Sequence, residues 1–242
     1  ATLTLANATA GAYIVDSASA GGIETLNVVS GTSKNTVNIT DTKNILATVN
    51  VSGDQALVTT IDSSALRTVN AATATGALDV TTAITGDMDL TGGTGDDTFT
   101  FSSTSWTLAD TVDGGAGTDV LEIGTAITAA TGLQNVSNVE TVKMSGGADV
   151  TLALDANVMN FDFTETGANV LTLNTGVTAA ASVTLGITGA DQAVNSANVA
   201  MTVNGSGAAI LATTLITGGT GADTINITAD SSAVTTLTTN NI

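Results

Sequence analysis

The 242-residue chain carries 22 acidic side chains against four basic ones, a formal charge of −18, and it contains no Pro, Cys or His. That charge excludes nucleic acid and anionic membrane as electrostatic partners, since both need a basic face. The missing Cys and His remove disulfides, thiolate chemistry, ordinary zinc ligation and the usual general base, so the chain is not read as an enzyme.

The length suits one large or two ordinary domains. Hydrophobic residues make up 43% of the chain and aromatics 2%. Such a composition suits a narrow interior of stacked Val, Ile, Leu and Ala, and the abundant β-branched residues favour strands. No apolar run approaches the length of a membrane span, and Ala1 opens the chain without Met or a recognisable signal peptide.

In chain order, Leu3-Thr4-Leu5 and Thr36-Val37-Asn38-Ile39-Thr40 alternate with period two and predict short strands. Between them, Gly22-Ile23-Glu24-Thr25-Leu26-Asn27-Val28 is echoed later by Asn138-Val139-Glu140-Thr141-Val142-Lys143-Met144. Asp87 and Asp89 lead into the nonapeptide Gly92-Gly93-Thr94-Gly95-Asp96-Asp97-Thr98-Phe99-Thr100, of pattern Gly-Gly-x-Gly-x-Asp-x-apolar-x. Ser105 to Asp113 is a degenerate copy, with Asp110 at the aspartate position and Val112 at the apolar one. Extra residues near Phe101 to Thr104 read as a bulge or loop. A second full copy runs from Gly114 through Gly115, Ala116, Gly117 and Asp119 to Glu122. Ala126 to Leu133 and Ala193 to Ala200 are candidate short helices, and Val170 to Asn174 alternates as a strand. A third full copy, Gly218 to Asn226, holds Thr220, Gly221 and Asp223.

Repetition also orders the whole chain. Residues 1–118 read as one super-repeat, a strand ladder plus the glycine turns of 92–122. Residues 119–242 read as a second, a ladder plus the turn of 218–226. Both ends fall in phase with this series, so the chain reads as a portion of a longer tandem array, with the site at Asp223 left incomplete.

The nonapeptide carries a specific chemistry. Glycine reaches backbone angles closed to other residues, so successive turn carbonyls can face inward. Calcium takes six to eight hard oxygen ligands. Two nonapeptides make one coil of a roll, so Gly92 and Gly114 open turns on one side of adjacent coils. The candidate ligand-bearing residues are Gly92, Thr94, Gly95, Asp97, Gly114, Gly115, Ala116, Gly117 and Asp119, with Gly218, Thr220 and Asp223 in the third copy. Turn carbonyls supply part of the shell and the carboxylates of Asp97 and Asp119 the rest, while Phe99, Val112 and Leu121 point inward and anchor the strands. A phosphate loop is disfavoured: no Lys-Ser or Lys-Thr follows the glycines, and the adjacent carboxylates would repel a phosphate. Asp113 reads as a turn cap, Trp106 as packing beside the turn, and Arg67, Lys34, Lys43 and Lys143 as surface charges.

The three nonapeptides, with the Gly-Ile-Glu-Thr-Leu and Asn-Val-Glu-Thr-Val segments, resemble bacterial RTX surface-layer proteins of the Caulobacter and Campylobacter type. The resemblance implies an all-β parallel solenoid with interspersed calcium-binding β-roll turns. It also implies type I secretion, folding outside the cell on Ca2+, and self-association into an extracellular lattice at the cell surface. Contact with outer-membrane lipopolysaccharide would come through other parts of the parent chain. Few nonapeptides are present, and no C-terminal secretion signal or anchoring domain is evident. Two other functions fit the residues: the stalk of a secreted adhesin, and the calcium-binding segment of a secreted enzyme whose catalytic domain lies elsewhere.

Overall fold

The computed structural model describes residues 1–15, 21–102, 105–128, 132–152, 156–164, 169–174, 176–185, 193–196, 199–206, 215–219, 222–228 and 238–240. These residues form strands and turns, with no helix among them. The chain is an all-β parallel solenoid, and it divides into two compact units. Unit 1 holds Ala1–Leu121 and Asn135–Val139; unit 2 holds Glu122–Gln134 and Glu140–Ile242.

Unit 1 contains β1 (Thr2–Ala6), β2 (Thr9–Ile14), β3 (Thr25–Gly31), β4 (Asn35–Thr40), β5 (Thr48–Gly53), β6 (Leu57–Asp62), β7 (Thr68–Ala74), β8 (Leu78–Thr82), β9 (Asp89–Thr91), β10 (Thr98–Phe101) and β11 (Thr111–Asp113). β12 (Val120–Ile123) falls at the division, and β13 (Val136–Ser137) returns to unit 1. Odd strands stack on odd strands and even on even, all parallel. Each coil therefore contributes one strand to an odd-strand sheet and one to an even-strand sheet, and the second strand serves as the crossover that parallel pairing requires.

Alternation fills the interior. Leu26, Val49, Val69, Leu90, Val112 and Val136 pair in register through successive odd strands, and each is at most 1% exposed. Burying such a side chain is worth about 1.5–3 kcal/mol, so one unbroken apolar column supports the sheet. The intervening Thr25, Thr48 and Thr68 face outward, half-buried or exposed. The expected inward residues Phe99, Val112 and Leu121 are all buried, and Trp106 packs edge-on against Phe101 with ring centroids 5.1 Å apart. Coil length varies: Phe99 pairs with Val80, 19 residues back, whereas Thr9 pairs with Thr36, 27 residues on. The strands keep register because the corners absorb the difference.

Unit 2 contains β14 (Thr141–Met144), β15 (Val150–Leu152), β16 (Asn160–Phe163), β17 (Val170–Leu173), β18 (Ala181–Leu185), β19 (Ala193–Ser196), β20 (Met201–Ser206), β21 (Leu215–Thr217), β22 (Thr224–Thr228) and β23 (Thr238–Asn240). Its odd and even strands again form separate parallel sheets. Neither candidate helix is present among the described residues, 129–131 and 197–198 lying outside them. Ala193–Ser196 is strand β19, paired to β17 and β21, and Ile127 forms a parallel bridge with Val150. Alanine favours a helix locally, but a strand with neighbours on both sides satisfies its backbone by pairing, and tertiary context wins.

Candidate metal centre at the stacked glycine turns

The corner that feeds the even-strand sheet of unit 1 repeats one hydrogen-bonding problem. Asn35, Leu57 and Leu78 pair in register at the mouth of this sheet. Asp97 precedes Thr98, which pairs with Asp79, so Asp97 continues the column over Leu78. Every residue in the column has an N–H directed towards the next coil. Where that coil offers leucine, a backbone carbonyl accepts: Asn35 donates to Ala56 and Leu57 to Ala77, both at 2.8 Å. Where it offers an acid or amide, the side chain accepts instead. Ala8 donates to Asn35 Oδ1 at 2.8 Å, Leu78 to Asp97 Oδ1 at 2.7 Å, and Asp97 to Asp119 Oδ1 at 2.6 Å.

The glycines make room for this. The nonapeptides of Gly92 and Gly114 lie on successive coils, with Gly92 N–H donating to Asp113 at 2.8 Å and Ala116 N–H to Gly93 at 2.9 Å. A Cβ on Gly92 would overlap the Gly114 carbonyl oxygen and an oxygen of Asp97; one on Gly114 would overlap the Asn138 carbonyl oxygen. Gly115 adds a backbone requirement, φ of 95°, which side-chain-bearing residues rarely adopt. Gly95 and Gly117 stack in the same way, with Gly117 against the Gly95 carbonyl. Thr94 and Ala116 sit exposed on the turn crests. Asp113 caps its turn as expected, its Oδ1 accepting the Gly115 N–H at 3.2 Å and the Asn138 amide at 2.7 Å.

Asp97 and Asp119 are both buried, at 1% and 0% exposure. Asp97 Oδ2 also accepts the Gly93 N–H at 2.7 Å. Burial pushes its carboxyl above the ordinary value of 3.8, against the pull of the amides of Leu78 and Gly93. No basic side chain pairs with Asp97 among the described residues. The degenerate repeat behaves alike at the opposite corner: Asp110 Oδ1 accepts Met88 N–H at 2.8 Å and Oδ2 accepts Thr107 N–H at 2.6 Å, with the carboxyl again raised by burial.

In the third copy, within unit 2, Asp223 Oδ1 accepts the N–H of Met201 at 2.8 Å, again one coil back. Its Oδ2 is buried without a hydrogen-bond partner among the described residues. Gly218 and Gly219 end the described stretch before this turn; Thr220 and Gly221 lie outside the described residues.

This arrangement fits calcium in donor chemistry. It presents oxygen donors, turns whose backbones pack so closely that a Cβ on Gly92 or Gly114 would strike a neighbouring carbonyl, and a buried carboxylate at Asp97 with no basic side chain beside it among the described residues. Each carboxylate oxygen has two lone pairs, so the amide bonds leave acceptor capacity on Asp97. Carboxylates alone do not complete a shell, since no three acids group to hold a metal among the described residues; carbonyls of the turns from Gly92 and Gly114 would make up the rest.

Two polar corner residues carry no nonapeptide signal. Asn35 is buried, and its amide nitrogen donates to Ser30 Oγ and to the carbonyls of Gly31 and Ser33. Asp41, also buried, accepts the N–H groups of Lys43, Ile45 and Leu46 and the Ser63 hydroxyl, and these bonds hold its carboxyl below 3.8 although burial alone would raise it. Asn35 opens β4, and nothing in the sequence beyond its polarity marks this role. Compared with family models, with curated proteins and with solved structures, the chain has no match to any of them.

Proposed function

We propose that this chain is a calcium-stabilised structural building block of a bacterial extracellular surface layer, one that self-assembles into a lattice or filament. The observation that carries the reading is the stacking of two full nonapeptides on successive coils, with glycines where backbones come closest and buried aspartate charge beside them. A uniform strand ladder with outward Thr and Asn rows is suited to scaffolding. The proposal includes export by type I secretion and contact with lipopolysaccharide through other parts of the parent chain.

Calcium would bring positive charge to the buried carboxylate of Asp97, which has no basic partner among the described residues. Extracellular calcium modules have dissociation constants on the order of 10⁻⁴–10⁻³ M. At millimolar calcium each such site would stabilise the fold by about 0.4–1.4 kcal/mol. An acidic chain would then be less stable where calcium is scarce and gain stability after export.

The test is a calcium titration followed by circular dichroism and light scattering on one sample. Strand signal and large ordered particles rising together, and both reversed by chelator, support the lattice reading. Folding without particles favours an adhesin stalk, and a fold and particle size both indifferent to calcium would overturn the proposal.

A further inference from the structure

Away from the glycine turns, unit 1 has a concavity of about 630 Å³ where the chain leaves the even-strand sheet for the odd-strand sheet. That size lies within the range of small-ligand clefts, about 300–1,000 Å³. Its floor is apolar and buried, from Ile61 and Ile84. Asn44, Asp62, Ser64, Arg67 and Thr81 supply polar groups around it.

Arg67 is held in place rather than loose. Its Nη1 donates to the carbonyls of Ser64, at 3.1 Å, and Leu66, at 2.5 Å. The guanidinium lies against Gly86, where a Cβ would fall 2.8–2.9 Å from Cζ, Nη1 and Nη2. No ion pair joins it to Asp62 or any other acid among the described residues, so its remaining donors are available to a ligand. Asn44 is fixed as well: its φ is 55°, and its Oδ1 accepts the Ser64 N–H at 2.9 Å, which leaves the amide nitrogen as a donor.

These groups select a ligand class. A carboxylate that only accepts and a guanidinium that only donates stand on one cleft with hydroxyls that do both. Vicinal hydroxyls of a sugar are complementary to that set, because each can donate to Asp62 and accept from Arg67 or Asn44. A chain of net charge −18 disfavours an anion, and the lining holds no aromatic ring for a flat apolar ligand. We propose that this cleft binds a neutral oligosaccharide, a role that depends on neither the metal nor assembly.

The test uses the full chain, with saturation-transfer NMR and calorimetry against maltotriose, cellotriose, mannotriose and chitotriose, and with trigalacturonate and inorganic phosphate as acidic comparators. Saturable binding of a neutral trisaccharide is expected, weakened at least tenfold by Arg67→Met and by Asp62→Asn and unchanged by Asp54→Asn. Asp62 is exposed at a strand end, so Asp62→Asn keeps the test valid if Arg67→Met disturbs the corner; the thermal melt of each variant checks this. Absence of neutral-sugar binding, binding confined to trigalacturonate or phosphate, or neutral-sugar binding indifferent to Asp62→Asn would overturn the proposal.

Discussion

Asp119 reaches back across one coil to accept the backbone N–H of Asp97 at 2.6 Å, and Asp97 does the same for Leu78 at 2.7 Å. Each aspartate thus satisfies a donor that belongs to the coil before it. The consequence is directional. Losing one carboxylate exposes the fault one coil back, and stability is passed between neighbours as in other repeat architectures.

Asp97→Ala should therefore be costly without calcium as well as with it, because it strands the Leu78 and Gly93 N–H groups in a buried turn. An unsatisfied buried group costs about 1–3 kcal/mol. Asp97→Asn, which keeps an acceptor oxygen, should lose less. Asp54→Ala, at an exposed position, should stay within about 0.5 kcal/mol of the parent. Urea unfolding of the three variants checks the order, and equal midpoints would contradict the assigned role of Asp97 as acceptor for the Leu78 and Gly93 N–H groups.

The pH dependence should carry two opposing signatures. Burial raises the carboxyls of Asp97 and Asp110 above 3.8, so within that window the folded chain binds more protons than the unfolded one. Their contribution to stability falls as pH rises through the raised values. Asp41 is held below 3.8 by its hydrogen bonds, which outweigh burial, and its contribution is lost as pH falls through the lowered value. Relative to Asp97→Asn or Asp110→Asn, the parent should gain stability on acidification into the first window. Relative to Asp41→Asn, it should lose stability below pH 3.8. Urea midpoints between pH 3 and 7 would decide, and differences of the same sign for all three variants would contradict the assignment.

Legibility in the sequence followed the strength of the local signal. Short strands around a narrow apolar interior were readable from alternation and β-branched content, the parallel solenoid came from the resemblance that the nonapeptides carry, and the offset of Gly92 from Gly114 placed those turns on successive coils. Asp110 was readable as a degenerate copy because Val112 follows it at the apolar position, and it does the work of Asp97 at the opposite corner. Asn35 was not readable, although it caps Ala8 as Asp97 caps Leu78, because no glycine run marks its turn. Ala193–Ser196 misled because a short alanine-bearing stretch has no decisive period; only the pairing of Val194 with Leu171 and Ile216 makes it a strand.

Calcium should act selectively if it occupies the paired turns. Its stabilisation of the parent chain, read as the shift in urea midpoint at millimolar calcium, should shrink in Asp97→Asn and Asp119→Asn and persist in Asp62→Asn. A direct calcium-binding isotherm on the same variants separates lost affinity from lost fold. Undiminished calcium shifts in Asp97→Asn and Asp119→Asn would place the ion elsewhere.

The glycine stack gives the sharpest geometric expectation. Gly92→Ala and Gly114→Ala each set a Cβ onto a backbone carbonyl of the neighbouring coil, and backbone in a paired ladder has little room to retreat. Overpacking of this kind costs about 1–3 kcal/mol, occasionally more. Gly11→Ala meets nothing within 4 Å and should be close to neutral, or slightly stabilising through the lower entropy of its unfolded chain. Thermal melts of the three variants provide the comparison. If Gly92→Ala melted with Gly11→Ala, the coils would have to stand farther apart at these turns than the stack of Gly92 beneath Gly114 allows.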